Sequence, residues 1–172
     1  MESEDSFDGY TVAYEREEIQ FPVYVVLTFG AALLVWAFSR GNPFTLLLGG
    51  LAIGYGYHNY PLLETGRPRI GAGQYGLFVE GLGVIAWRAI ESIDLIAVTS
   101  RGVVDQELSV TLREPVDRAL IADWRRRPLY RMLMRLPWSM KGNTIRIGLE
   151  PFDQSPTQIH QNLMRLWQYF RT

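Results

Sequence analysis

Two glycine sets in this 172-residue chain have the spacing of a phosphate cradle. Gly71-Ala72-Gly73-Gln74-Tyr75-Gly76 reads G-x-G-x-x-G, and Gly81-Leu82-Gly83-Val84-Ile85-Ala86 reads G-x-G-x-x-A. Such a fingerprint holds a dinucleotide when a buried strand precedes it and a helix follows, because the pyrophosphate then meets helical N–H groups. Here Leu77-Phe78-Val79 follows the first set and is strand-like, so hairpin turns are the expected use of these glycines. His58 and His160 are far apart, with no His-Glu-x-x-His or cysteine pair beside them to make a metal site. The absence of cysteine removes disulfides, thiolate chemistry and iron–sulfur ligation together. Carboxylates are scattered, and no pair is marked out for acid–base work. The expectation is a non-enzymatic protein with no catalytic residues, cofactor, metal, small-molecule substrate or nucleic-acid partner.

A different chemistry is written between Pro115 and Lys141. Arg127, Arg131 and Arg135 recur every four residues, Leu129, Met132, Leu133 and Leu136 make another face, and Trp124 and Trp138 flank the stretch. Pro115 and Pro128 can each open a helix, since proline is tolerated in a first turn. Basic residues opposite large apolar ones, edged by tryptophan, describe a helix lying in a membrane interface. Each basic residue near anionic headgroups contributes about 1 kcal/mol. Trp124, Arg127, Arg131, Arg135 and Trp138 are therefore the expected membrane-surface contacts. A solvated arginine face on an ordinary amphipathic helix would carry the same pattern.

That chemistry needs a membrane nearby, and the earlier part of the chain supplies the signal for one. Residues 19–39 and 41–63 contain no Asp, Glu, Lys or Arg, and only Arg40 lies between them, in the turn Ser39-Arg40-Gly41-Asn42-Pro43. A spanning helix needs about 20 apolar residues, a length both runs reach, so a two-helix transmembrane hairpin over 19–63 is expected. Without a hydrophobic force between helices in lipid, small residues must let the backbones approach. Gly50-x-x-x-Gly54 on the second run and Gly30 on the first are the expected packing surface, either within the hairpin or toward another membrane protein. Tyr24, Tyr55, Tyr57 and Tyr60 gather at one end as an aromatic belt would, with His58 and Asn59 as hydrated neighbours. Residues 1–18 hold seven acids against Arg16 and are expected to be a loosely held acidic tail. The acidic start and the long apolar run do not suit a cleaved signal peptide. Two spans put both termini on one side with sixteen Lys and Arg residues, against Arg40 alone in the turn, so both termini are expected in the cytoplasm.

The periodicity changes after residue 65. Arg69–Ala72, Tyr75–Glu80, Val84–Trp87, Ile93–Thr99, Leu108–Arg113 and Thr144–Leu149 are short β-branched or aromatic runs, most of them separated by glycine-bearing turns, which predicts an antiparallel meander. Ser155-Pro156-Thr157-Gln158 then opens a terminal helix as a capping box, with Ile159, Leu163, Leu166, Trp167 and Phe170 on one apolar face.

The strand series, the Trp87-Arg88-Ala89-Ile90-Glu91-Ser92-Ile93 step, the Leu112-Arg113-Glu114-Pro115 turn with its basic insertion, and the Ser155-Pro156 helix resemble one known arrangement. It is that of small bacterial inner-membrane proteins with two spans followed by a pleckstrin-homology-like domain. The resemblance covers nearly everything after residue 18. It implies a membrane α+β protein: an acidic tail (1–18), a transmembrane hairpin (19–63) and a cytoplasmic pleckstrin-homology-like antiparallel β domain (66–172) with a helical insertion and a C-terminal capping helix. It implies multi-pass residence in the bacterial inner membrane, and carries over no activity or catalytic residue. The first strand pair lacks the Lys-x(n)-Lys/Arg-x-Arg arrangement of eukaryotic phosphoinositide binders. The expected role is a membrane-anchored adaptor whose domain binds a protein partner or the anionic surface of the lipid bilayer. The alternative is an accessory structural subunit docked through the hairpin onto an integral membrane protein or complex.

Overall fold

The computed structural model describes residues 9–14, 17–100, 103–126, 128–152 and 154–171. The described chain is an α+β fold in which a helix pair precedes two antiparallel sheets and a C-terminal helix that packs on a sheet. It forms two compact units. The helical unit takes residues 17–65 together with 128–135, and the β unit takes residues 9–14, 66–126 and the chain from 136 onward. Two segments thus depart from the expected division at 18/19 and 63/66. Residues 10–14 fold with the sheets, and residues 128–135 fold with the helices.

In the helical unit, α1 (Glu17–Arg40) and α2 (Pro43–His58) are joined by a two-residue turn and so run antiparallel. Gly41 takes φ 63° in that turn. Asn42 then caps α2, its Oδ1 accepting the N–H groups of Phe44 (3.0 Å) and Thr45 (3.4 Å). Buried Val23, Gly30 and Ala37 recur at heptad spacing along α1, facing a seam on α2 that includes Thr45, Gly49 and Gly56. A Cβ on Gly30 would lie 2.9 Å from that of Ala52, and one on Gly49 would lie 2.8 Å from Leu34 Cδ2. The close approach is therefore built on Gly30, Gly49 and Gly56. A Cβ on Gly50 or Gly54 meets nothing within 4 Å, so the G-x-x-x-G face looks away from the pair and only Gly30 of the expected packing set lies in its seam.

The outer faces of both helices carry exposed Phe21, Phe29, Val35, Phe38, Phe44, Leu47 and Leu51. Residues Gln20–Arg40 form one helix long and apolar enough to cross a membrane. The second helix has 16 residues, about 24 Å at 1.5 Å per residue, and falls short of the expected span. At its end stands Asn59, buried, with both its backbone N–H (3.1 Å) and its side-chain amide (3.0 Å) on the Tyr55 carbonyl. A 3₁₀ turn, Tyr60–Leu63, completes the uncharged run.

The β unit begins before the helix pair. β1 (Tyr10–Ala13) pairs antiparallel with β2 (Pro68–Gly73), Tyr10 opposite Ala72 and Val12 opposite Ile70. Tyr14 follows in a bridge to Phe152, the two rings 4.9 Å apart. The expectation of a loose tail is corrected for these residues. Tyr-Thr-Val-Ala has strand propensity, and its partner strand covers the edge that would otherwise leave it unpaired. With β3 (Gly76–Val79), β4 (Gly83–Ala86) and β7 (Leu120–Asp123), the first sheet has the order β1-β2-β3-β4-β7. The second sheet runs β5-β6-β9-β8, from β5 (Ile90–Ser100), β6 (Val103–Leu112), β9 (Thr144–Gly148) and β8 (Trp138–Lys141). A four-residue helix, α3 (Val116–Ala119), leads into β7.

All six expected strands are present. The fingerprint glycines serve strand approach: a Cβ would lie 2.0 Å from the Ile85 carbonyl oxygen at Gly76, and 1.8 Å from that of Ala122 at Gly83. Gly83 also holds φ 130°, which an L side chain rarely adopts. Gly83→Ala is expected to cost well over 1 kcal/mol, since alanine at an incompatible φ destabilises beyond the roughly 0.4–1 kcal/mol entropy gain. A thermal melt of the purified variant checks this.

The core gathers Ile70, Leu77, Val79, Leu82, Ile85, Leu108, Val110, Ile145 and Ile147, all buried. Ile145 and Ile147 alternate with exposed Arg146, as strand periodicity requires. α4 (Pro156–Phe170) starts as expected, Ser155 Oγ accepting the Gln158 N–H at 3.3 Å. It buries Ile159, Leu163 and Trp167, and packs against β5, β6 and β2. Among the described residues one charged side chain lies fully inside: Arg69, 1% exposed, ion-pairs with Glu80 and sets its guanidinium 4.9 Å over the Tyr14 ring.

Candidate functional site

The expected interfacial helix is instead a 3₁₀ turn, Leu129–Arg131, continued as tight turns. Pro128 opens it with ψ 149°, outside helical values, and Pro137 follows Leu136 and disfavours helical backbone there. Barely two turns of helix would fit between the prolines. Arg131 N–H donates to the Pro128 carbonyl (2.8 Å), Met132 N–H to Leu129 (3.2 Å) and Met134 N–H to Arg131 (3.2 Å).

Further backbone partners come from the end of α2. The Tyr57 hydroxyl donates to the Tyr130 carbonyl. His58 Nδ1 lies 2.6 Å from the Leu133 carbonyl, which makes that nitrogen the donor. Arg135 N–H donates to the His58 carbonyl at 2.8 Å. Arg131 reaches Glu64 at 3.2 Å, with both side chains mostly covered. Tyr57 and His58 thus have a defined task, holding residues 128–135 against the end of α2. No local signal marks Tyr57 and Glu64 for this, because their partners lie some seventy residues later in the chain.

Four of the five expected surface residues are described, and they are divided between the two units. Arg127 lies outside the described residues. Arg131 is engaged by Glu64, whereas Arg135 is exposed. Trp124 belongs to the β unit, half exposed, with its ring edge-on to Phe78 at 5.5 Å. Trp138 is on β8, part-buried, its indole N–H donating to the Glu80 carbonyl at 3.0 Å. Arg131 ends the 3₁₀ turn and Arg135 lies beyond it, so among the described residues the fourfold spacing does not mark a helix.

Beside Trp124, Arg125 bonds Asp123 (2.7 Å) and Asp117 (2.5 Å). The Arg125 guanidinium and backbone N–H hold the Asp123 carboxyl at about 2. Because that pKa is lowered, the stabilising contribution is present above about pH 4, the ordinary aspartate range, and is lost as pH falls through about 2. A carboxyl carbon NMR titration of Asp123 is expected to show a midpoint near 2, moving upward in Arg125→Gln.

Among the described residues no cluster of His, Cys, Asp and Glu is placed to hold a metal ion. His160 turns its Nε2 to the Ile93 carbonyl at 2.9 Å, a bond that ties α4 to β5. No family model matches this chain, and no curated protein or solved structure matches it.

Proposed function

We propose that this protein is a membrane-anchored, non-enzymatic adaptor. The helix pair crosses the bilayer twice, and the β unit is a pleckstrin-homology-like interaction module on the cytoplasmic side of a bacterial inner membrane. The observation that carries the reading is the pairing of β1 with β2. One strand precedes α1 and the other follows α2, so a chain that crosses the membrane in α1 has to return before β2 begins. The same pairing argues against α1 as a cleaved signal segment, because cleavage would remove a strand with buried Val12 from the sheet. The exposed phenylalanines, leucines and valines on the outer faces of both helices suit lipid contact, since water-facing surfaces rarely keep so large an apolar patch. The shortness of α2 is compatible with a crossing, because the uncharged run continues through Tyr60–Leu63 and a bilayer thins locally around a short span.

The Gly50–Gly54 face favours a second reading, an accessory subunit of a larger membrane complex, because it is open to another helix. Cross-linking in native membranes followed by purification in mild detergent tests both. The adaptor reading expects a partner joined through the β unit and unaffected by Gly54→Leu. A stoichiometric assembly that Gly54→Leu disperses supports the subunit reading. Recovery of the chain with no cross-linked partner contradicts both.

A further inference from the structure

Residues 129–133 expose apolar side chains to an extent that water alone does not explain. Leu129 is 85% exposed, Tyr130 62%, Met132 58% and Leu133 72%. They stand at the end of the helical unit where α1 begins and α2 ends, which also carries exposed Phe21, Tyr24, Tyr55 and Tyr60. Most of the backbone carbonyls of this stretch are already provided for. The Tyr130 and Leu133 carbonyls accept hydrogen bonds from Tyr57 and His58, the Leu129 and Arg131 carbonyls are used within the turn, and the Arg135 N–H is held by the His58 carbonyl. Non-helical backbone near hydrocarbon requires such satisfaction, whereas a loop facing water needs none of it from a neighbouring helix. Charge is arranged to match. Arg131 is neutralised by Glu64, while Arg135, at the end of the stretch, is exposed.

We infer that residues 129–133 insert into the headgroup–acyl boundary of the bilayer beside the helix pair, with Leu129, Tyr130, Met132 and Leu133 in the apolar layer and Arg135 at the lipid phosphates. Insertion is driven by apolar contact and not by an arginine row. The inference rests on the reading of the helix pair as membrane-spanning, and the test separates the two.

The chain has no cysteine, so a nitroxide can be placed at single sites in the full-length protein. Leu129→Cys and Leu133→Cys carry the probe in the stretch, and Phe29→Cys carries it in the middle of α1. The labelled proteins are reconstituted in phosphatidylcholine vesicles containing phosphatidylglycerol, and collision rates with oxygen and with a nickel chelate are compared. The proposal expects oxygen-to-nickel ratios several-fold above that of free label in buffer at positions 129 and 133, deeper still at 29, and unchanged in high salt. A deep label at 29 with water-exposed labels at 129 and 133 overturns the insertion and leaves the spanning helices standing. Labels at 129 and 133 shielded from both reagents mean that protein covers the stretch, which also overturns it. Loss of depth at 129 and 133 in high salt shows electrostatic attachment and contradicts apolar insertion. A water-exposed label at 29 overturns both readings.

Discussion

Glu80→Ala is expected to destabilise the β unit by about 3 kcal/mol, the low end of the cost of removing one member of a buried ion pair. Arg69 is 1% exposed, and its charge was brought out of water against this carboxylate. Glu80 also stands 3.5 Å from Arg67 Nε, and its side chain is 17% exposed, so some solvent reaches the pair and the upper end of the range does not apply. The Tyr14 ring under the guanidinium softens the loss without replacing a negative charge. At roughly 4–8 °C per kcal/mol for a domain near this size, the melting temperature falls by about 12–24 °C. Intrinsic tryptophan fluorescence during heating of the detergent-solubilised protein measures it. Replacing both partners, as Arg69→Met with Glu80→Leu, is expected to cost much less, because no uncompensated charge stays buried. A double variant as unstable as Glu80→Ala would mean that the pair's geometry, and not its charge, holds β2 to β3.

Gly30→Leu is expected to be the most damaging single change in the helix pair. A Cβ there would already sit 2.9 Å from the Ala52 Cβ and 3.2 Å from the Ile53 backbone nitrogen, neither of which can swing aside. At Gly56 the obstacle is the Leu27 side chain, which can change rotamer, so Gly56→Leu is expected to cost less. Overpacking costs about 1–3 kcal/mol in well-packed interiors, and Gly30→Leu belongs at the top of that range. Gly50→Leu and Gly54→Leu are expected to leave the pair intact, since a Cβ at either meets nothing within 4 Å. Titration with sodium dodecyl sulfate in bicelles, read by resonance energy transfer between labels on α1 and α2, ranks the four variants. Equal sensitivity at Gly30 and Gly54 would contradict the heptad seam.

The parts of this fold legible in the sequence are those with a local cause. Charge-free runs announce the helix pair, alternation announces β9, and Ser155-Pro156 announces α4. The unread parts depend on distant partners. β1 is four residues long, and its partner β2 lies beyond the whole helix pair, so no hairpin turn marks it. β7 and β8 lie within the Pro115–Lys141 stretch, where the prolines and the spacing of arginines and leucines read as helix. The stretch after Pro128 has helical spacing of its arginines, yet Tyr57 and His58 offer its carbonyls better partners than a two-turn helix could. Gly50-x-x-x-Gly54 is the conspicuous motif on α2. The residues that meet α1 are instead set by register along the pair, which a single helix does not encode.

The central claim is that the chain crosses a membrane in α1 and returns in α2. It is tested most directly with one cysteine at a time in an otherwise cysteine-free protein. Ser39→Cys places a thiol beside the turn and Ser139→Cys places one on β8, both at exposed positions. In right-side-out membrane vesicles, a membrane-impermeant maleimide is expected to label the Ser39→Cys protein at once, and the Ser139→Cys protein only after the vesicles are opened. Labelling of both from the same side would contradict the crossing.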